Sequence, residues 1–253
     1  MYDLRKGDCF ELMKELDDNS VDLIITDPPY GISGTTPGSV KTVGFYDYMK
    51  DLDKANISSG YDIVKFGNEA LRVLKAPKIY LWCNKLQIPE YLDFWVKEKR
   101  CKFDILCWHK SNAVPTYSGK YMCDTEYCLF FHRDCTSCAP QSYDDGKTWY
   151  TEPINMRDKE LYDHPTVKPV KILERLVRNS SKEDDLILDP FMGSGSTGVA
   201  CLYNRRRFLG MELVDKYFEV AQDRLAKSAV DAGFQQVFAD GCLTEADDNS
   251  EEW

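Results

Sequence analysis

Four consecutive residues, Asp27, Pro28, Pro29 and Tyr30, follow the apolar run VDLIIT and have the chemistry of a catalytic pocket. An aromatic amine is a poor nucleophile because its lone pair is delocalised into the ring. The Asp27 carboxylate and the Pro28 carbonyl can each accept one N–H of such an amine, so that the nitrogen pyramidalises and directs its lone pair at an electrophile. The prolines restrict the backbone and hold both acceptors in place, and Tyr30 can stack on the ring. The alternative is a rigid turn with a solvated acid.

A glycine-rich segment, DPFMGSGSTG, is the second candidate site. Gly193, Gly195 and Gly198 have GxGxxG spacing, and Glu212 follows Gly193 by 19 residues at the end of the next apolar run. Glycines let the backbone approach a ligand, a helix N-terminus binds an anion, and the acid accepts hydrogen bonds from ribose hydroxyls. The spacing predicts a nucleoside site, with a tight turn as the alternative. It does not separate a dinucleotide from S-adenosylmethionine, because both contain adenosine and an anionic group.

Short apolar runs alternate with helical patterns and must position these two segments. Such runs are typical of strands buried on both faces of a parallel sheet. They are found at residues 21–26, 78–83, 103–108, 126–131, 185–189 and 207–212. Helices are predicted after Asp8 and from Pro169. We therefore predict an α/β fold with a Rossmann-like doubly wound mixed sheet, in which residues 103–110 and 126–133 form an antiparallel hairpin at one edge.

The whole chain, residues 1–253, is predicted to be one domain. Two segments fit no regular element: residues 31–60, which are interpreted as an active-site and DNA loop, and residues 133–163, which are interpreted as a short target-recognition insert. The last fourteen residues, 240–253, contain six acids and no base, and they are predicted to be a solvated tail.

The net charge of -10 argues against a protein that only coats nucleic acid, because phosphate contacts need lysine and arginine. Residues 75–171, however, contain 15 basic and 13 acidic side chains, which allows a locally basic DNA face. No apolar run approaches the roughly 20 residues that span a bilayer, and the N-terminus lacks the pattern of an export signal. We expect a cytoplasmic protein without a membrane partner.

Ten cysteines are scattered through the chain and are expected to be reduced thiols. The tightest group comprises Cys123, Cys128, Cys135 and Cys138, and four thiolates could in principle bind zinc. A single CxxC is weak support for a metal, and Cys128 lies within a run of strand type. We expect no metal.

The order of the two motifs, with DPPY before FxGxG, resembles the permuted β group of amino-DNA methyltransferases over nearly the whole chain. The resemblance is strongest to N6-adenine enzymes. It implies the permuted S-adenosylmethionine-dependent methyltransferase fold and methyl transfer to N6 of a flipped-out adenine in double-stranded DNA, within restriction-modification. Ribosomal-RNA guanine and protein-glutamine methyltransferases have similar turns, but their glycine loop usually comes first. Enzymes specific for N4 of cytosine more often carry Ser at the position of Asp27.

The resemblance also implies residue roles. Gly7-Asp8-Cys9 would lie beside the cofactor adenine, the HPTVKP segment at 164–169 would contact the methionine end, and Glu212 would hold the ribose. The predicted cofactor-binding residues are Asp8, Cys9, Asp27, Thr166, Lys168, Asp189, Phe191, Gly193, Ser194, Gly195 and Glu212. The predicted catalytic residues are Asp27, Pro28, Pro29 and Tyr30.

DNA contacts are predicted on loops near the active face. The candidates are Lys41, Lys110, Asn112, Tyr117, Lys120, Lys147 and Arg157, each with an ordinary exposed side chain as the alternative. Competing functions are an N4-cytosine, RNA or protein amine methyltransferase, a non-catalytic cofactor- and DNA-binding subunit, and a dinucleotide oxidoreductase. A homodimer is one assembly that the sequence allows.

Overall fold

Six strands of the central sheet coincide with the apolar runs of the sequence. In this computed structural model the strands are β1 Tyr2–Lys6, β2 Leu23–Thr26, β3 Lys78–Cys83, β4 Lys102–Lys110, β5 Thr125–His132, β6 Trp149–Glu152, β7 Leu186–Asp189 and β8 Arg207–Glu212. A separate antiparallel ribbon pairs β9 Phe234–Gln235 with β10 Thr244–Glu245.

The structure describes most of the chain. The described residues are 1–29, 61–113, 115, 121–133, 137–154, 156–162, 167–235 and 244–245. The predictions made for Tyr30, Thr166 and residues 31–60 lie outside these ranges, as does most of the tail at 240–253.

The central sheet has the strand order β1-β8-β7-β2-β3-β5-β4-β6, and β5 alone among these strands runs antiparallel to its neighbours. The chain proceeds from β2 to β3 on one side and from β7 to β8 on the other. The boundary between β2 and β7 is therefore the topological switch point, where α/β proteins bind ligands. The predicted Rossmann-like mixed sheet is confirmed, and the two candidate motifs follow the two strands at its switch point.

The predicted antiparallel pairing of β4 with β5 is confirmed, from Lys102 opposite His132 to His109 opposite Thr125. The prediction that residues 133–163 contain no regular element is wrong. This segment contributes β6, which pairs parallel to β4 and lies outside it, and a short helix at Met156–Leu161. Only four residues long, β6 becomes a strand through its long-range pairing with β4, which no local pattern reveals.

Helices cover both faces of the sheet. They are α1 Cys9–Leu12, α2 Ile63–Val73, α3 Ile88–Tyr91, α4 Met156–Leu161, α5 Val170–Ser180, α6 Ser196–Tyr203 and α7 Asp215–Asp231. A 3₁₀ turn at Met13–Glu15 extends α1, and a π-helix at Leu92–Glu98 extends α3. The two predicted helix starts are confirmed. The Asp8 carboxylate accepts the Phe10 N–H at 2.7 Å, and α5 begins directly after Pro169.

The strands are apolar on both faces because each face packs against helices. Alternate residues of β2 show this: Leu23 and Ile25 belong to the core beneath α5, α6 and α7, whereas Ile24 belongs to the core beneath α1, α2 and α3. The result is a three-layer sandwich whose central strands are rigidly packed. Among the described residues, no helix is long and apolar enough to cross a membrane.

Candidate active site

The turn that begins at Asp27 leaves the carboxyl end of β2 at the switch point. Pro28 and Pro29 are buried, and the Asp27 side chain is 20% exposed. Gln87, itself buried, donates a long hydrogen bond of 3.4 Å to the Pro29 carbonyl. The Asn84 side chain in turn accepts the Gln87 backbone N–H at 3.1 Å. The loop after β3 therefore supports the turn, a role that no local signal in the sequence marks.

The glycine loop lies beside this turn because β2 and β7 are parallel neighbours, with Leu23 opposite Ile187. A short buried hydrogen bond joins the two strand ends, from Thr26 Oγ1 to Asp189 Oδ1 at 2.6 Å. Burial raises the pKa of Asp189 to about 6, although the hydroxyls of Thr26 and Thr197 oppose the shift. Asp189 also accepts the Phe191 N–H at 3.2 Å, so its hydrogen bonds link the end of β2 to the glycine loop.

Lys168 lies in the middle of the site and is almost fully buried. Its ammonium group contacts the Asp27 carboxylate and lies 3.2 Å from Glu126 Oε2, while the other Glu126 oxygen lies 2.6 Å from Lys110 Nζ. Burial alone would lower the pKa of Lys168, but the carboxylates of Asp27 and Glu126 outweigh it and raise that pKa. The ammonium group therefore stays charged. Thr166, the other predicted cofactor contact in the HPTVKP segment, lies outside the described residues.

Glu126 was missed in the sequence. It is the second residue of β5, where an acid directly precedes the apolar residues YCLFF, and an ionisable residue at the start of a strand of this kind is a signal that could have marked it. Burial would raise the pKa of Glu126, but Lys168 and Lys110 outweigh it and lower that pKa.

Glu212 ends β8 and faces the glycine loop. Its Oε2 accepts the Gly193 N–H at 3.0 Å and its Oε1 accepts the Val214 N–H at 2.8 Å. Burial raises the pKa of Glu212 to about 7, although these backbone donors oppose the shift. A third backbone N–H, that of Leu213, also interacts with this carboxylate. Because two carboxylate oxygens offer about four acceptor positions, the group keeps acceptor capacity beyond its backbone donors. A partly buried carboxylate with spare acceptor capacity beside a glycine loop fits the hydroxyls of a ribose.

Asp8, Cys9 and Phe191 line the same end of the sheet. Gly7 N–H binds the Glu212 carbonyl at 2.9 Å, which places Asp8 and Cys9 next to β8. Burial raises the pKa of Cys9 to about 12, so its thiol stays protonated. The ring of Phe191 is 5.6 Å from that of Tyr61 and packs in an aromatic cluster with it.

Ser194 and Gly195 complete the loop, and α7 supports both. Arg224, a buried arginine of α7, donates to the Ser194 carbonyl at 3.1 Å and to Ser196 Oγ at 2.8 Å. Gly195 has φ 77°, and a Cβ at this position would lie 2.5 Å from Leu225 Cδ1. Packing against α7 therefore requires this glycine, whether or not a ligand is bound.

The candidate DNA contacts divide into two groups. Lys110 binds Glu126 inside the site, and Asn112 binds both backbone groups of Ile154, at 3.1 and 2.6 Å, so these two side chains are used within the protein. Lys147 and Arg157 are exposed at the surface. Lys41, Tyr117 and Lys120 lie outside the described residues.

The three described cysteines of the CxxC group differ in their environments. Cys128 is fully buried within β5, whereas Cys123 and Cys138 are exposed, and Cys135 lies outside the described residues. In the ranges that the structure covers, no three His, Cys, Asp or Glu side chains are placed to hold a metal ion.

Known proteins are similar to this chain in sequence and in fold. Residues 21–223 match the sequence profile of the DNA methylase family. The chain belongs to this family.

Its relatives include the type II methyltransferase M2.DpnII of Streptococcus pneumoniae, which is 30% identical over 87% of each chain. The complex of M1.HpyAVI with S-adenosylmethionine has a TM-score of 0.64 and 25% identity, and covers 89% of this chain and 100% of its own. The cytosine-N4-specific PvuII methyltransferase, at 14% identity, shares the fold with a TM-score of 0.67 over 91% and 92% of the two chains.

The DNA methylase is therefore an S-adenosylmethionine-dependent DNA methyltransferase, as the order of its motifs predicts. The Glu212 carboxylate and the adjoining glycine loop fit the nucleoside part of this cofactor. The match to the family begins at Val21, just before the Asp27 turn, and extends beyond Glu212, so it includes both motifs.

The raised pKa of Glu212 predicts how the stability of the methylase depends on pH. Because its folded-state pKa of about 7 lies above the ordinary value of 4.5, the stabilising contribution is complete below about pH 4.5 and is lost as the pH rises through 7. Glu212→Gln removes this dependence. The melting temperature of the variant should therefore rise relative to that of wild type as the pH increases from 5 to 8. Asp189, whose pKa is also raised, is present in both proteins, so the variant should keep the part of the pH dependence that comes from Asp189. Parallel melting temperatures of the two proteins across this pH range would contradict the prediction.

Proposed function

We propose that this methylase transfers the methyl group to N6 of adenine at a specific site in double-stranded DNA. The observation that supports it best is the juxtaposition of the Asp27 turn and the glycine loop at the ends of two parallel neighbours, β2 and β7. Methyl acceptor and methyl donor are then bound side by side, and orientation alone lowers the barrier by several kcal/mol. Aspartate at position 27, where N4-cytosine enzymes more often have serine, favours adenine.

The proposed roles follow from the chemistry of the acceptor. S-adenosylmethionine supplies an electrophilic methyl group when it is bound. Asp27 and the Pro28 carbonyl accept the two amine hydrogens, Pro29 holds the turn rigid, and Tyr30 stacks on a base flipped out of the duplex. The proton that leaves the amine passes to the Asp27 carboxylate and then to water. Burial of both prolines and the Gln87 bond support a turn that is preorganised for this task.

The proposed cofactor site joins the ends of three adjacent strands, β1, β8 and β7. Glu212 binds the ribose hydroxyls, and Asp8, Cys9 and Phe191 surround the adenine. The loop at Gly193, Ser194 and Gly195 borders the methionine part together with Thr166 and Lys168, and Asp189 fixes the loop against β2. Support comes from the contacts among these elements, namely Gly193 with Glu212 and Thr26 with Asp189.

Identification of the product tests the proposed base. The purified methylase is incubated with unmethylated duplex DNA and S-adenosylmethionine labelled in its methyl group, and the DNA is digested to nucleosides. We expect the label in N6-methyldeoxyadenosine. Label in N4-methyldeoxycytidine would overturn the adenine assignment and leave the methyltransferase intact, whereas sequencing of the modified DNA at single-base resolution would give the recognised site.

The assembly and the location of the methylase stay predictions. A homodimer would have twice the monomer mass of 29.2 kDa in analytical ultracentrifugation, measured with and without DNA. Cell fractionation would test the expected cytoplasmic location.

A further inference from the structure

Four side chains of alternating charge extend from the Asp27 turn into the protein. The order is Asp27, Lys168, Glu126 and Lys110. Asp27 and Lys168 form an ion pair. Lys168 Nζ lies 3.2 Å from Glu126 Oε2, and Glu126 Oε1 lies 2.6 Å from Lys110 Nζ. Lys168 is the most enclosed of the four, with its side chain 7% exposed, whereas the side chains of Lys110, Asp27 and Glu126 are 16%, 20% and 22% exposed. Only the Asp27 end belongs to the proposed catalytic turn.

Three separate parts of the fold bring these charges together. Asp27 follows β2, Lys168 precedes α5, and Glu126 and Lys110 lie on the antiparallel pair β5 and β4. The ammonium group of Lys168 also lies 5.3 Å from the centre of the Trp82 ring. Charges buried in this way add little net stability compared with apolar side chains, because desolvation offsets most of their attraction. Their arrangement at the proposed acceptor of the reaction calls for an explanation other than stability.

We propose that Glu126 is a positioning residue for methyl transfer, which holds the ammonium group of Lys168 against the Asp27 carboxylate and so fixes the direction in which that carboxylate accepts the substrate amine. The inference rests on the role proposed for Asp27. Neither Glu126 nor its contact with Lys168 follows from the sequence motifs.

The geometry explains why a second acid is needed. A lysine side chain has four rotatable bonds and presents a point charge, so a single carboxylate partner would not fix its position. Glu126 supplies a second anchor, and Lys110 holds Glu126 from its other side. Lys168 is then fixed between two acids, and the orientation of Asp27 is set before substrate arrives.

The same arrangement keeps Lys168 charged. Both carboxylates raise its pKa against the effect of burial. Titratable and charged groups face it from the turn after β2, from the strands β3, β4 and β5, and from α4. These groups are Asp27, Glu126, Lys110, Lys159, Cys83 and Cys128. The two thiols have raised pKa values because of burial and stay neutral, so Glu126 is the second negative charge on Lys168.

The experiment compares Glu126→Gln with wild type in steady-state methylation of duplex DNA. We expect kcat to fall by about 10–100-fold, because the acceptor is misplaced, with KM for S-adenosylmethionine and for DNA changed less than about twofold. Loss of the Glu126 charge also lowers the pKa of Lys168, so the alkaline decline of kcat should begin at a lower pH than in wild type. A purely structural role would not move this pH profile.

Glu69→Gln is the matched control, because Glu69 is a partly buried glutamate paired with Arg72 at 3.0 Å on α2, away from the Asp27 turn. It should keep wild-type kinetics. If Glu126→Gln does not fold, Lys110→Met tests the same chain of charges from its outer end and should lower kcat in the same way. Wild-type kcat and pH profile in whichever of these variants folds would overturn the proposal, and so would an effect confined to KM for S-adenosylmethionine. If Asp27→Ala also retains wild-type activity, the role of Asp27 itself fails.

Discussion

Replacing Asp27 by alanine is expected to lower kcat for DNA methylation by about 10²–10³-fold, while the affinity for S-adenosylhomocysteine stays close to that of wild type. The change removes the acceptor that draws an amine hydrogen away from the ring plane, and it leaves Glu212 and the glycine loop intact. The measurement is single-turnover methyl transfer to duplex DNA together with calorimetric titration of the cofactor product. Unchanged kcat in a folded variant would contradict the assigned role.

Two further variants separate chemistry from stability. Asp27→Ala also leaves Lys168 with one carboxylate fewer, so its melting temperature should fall, and the assay must be run well below it. Asp27→Asn keeps one acceptor oxygen and the shape of the side chain, and it should retain more activity than the alanine variant. Asp22→Ala is the matched control, because Asp22 pairs with Lys75 at 2.7 Å at the opposite end of β2. It should lose stability and keep its kcat.

Replacing Gly195 by alanine is expected to lower the free energy of unfolding by about 2–5 kcal/mol. Its left-handed conformation, φ 77°, contributes about 1–2 kcal/mol, and the clash of the new Cβ with Leu225 Cδ1, at 2.5 Å, adds about 1–3 kcal/mol. Chemical denaturation monitored by circular dichroism measures the loss. Because the loop also borders the proposed cofactor site, weaker binding of S-adenosylhomocysteine should accompany it.

Gly233→Ala is the matched control for the cost of the left-handed backbone conformation. Gly233 has φ 86°, and no atom lies within 4 Å of a Cβ built there. Its alanine variant should therefore lose only the conformational part, about 1–2 kcal/mol. Equal losses at Gly195 and Gly233 would show that packing against α7 does not require a glycine in the loop.

Much of the sheet could be predicted from local sequence. The runs at residues 78–83 and 207–212 coincide with β3 and β8 residue for residue, because strands buried on both faces need continuous apolar side chains. The amino-terminal strand β1 and the short strand β6 were missed. In β1 polar and apolar side chains are mixed, and β6 has only four residues, so pairing with β8 and β4 defines these strands.

Some residues of the site could be predicted and others were missed, for a similar reason. Asp27 and Glu212 could be recognised because the backbone around them is unusual, with consecutive prolines in one case and spaced glycines in the other. Lys168 was singled out through a family motif, whereas its described partners are Asp27 and Glu126. Gln87 and Glu126 act through contacts with residues 58 and 42 positions away, and no short-range pattern encodes such contacts.

The sequence by itself therefore determined the chemistry at the two strand ends: an acceptor for an amine at Asp27 and a nucleoside site at Gly193 and Glu212. The tertiary structure decided that these ends are neighbours, through the parallel pairing of β2 with β7. It also decided that the Asp27 carboxylate is held by a buried lysine, which Glu126 shares. The physical reason is range, since proline, glycine and apolar patterns act within a few residues, whereas sheet order and buried ion pairs depend on how distant segments pack.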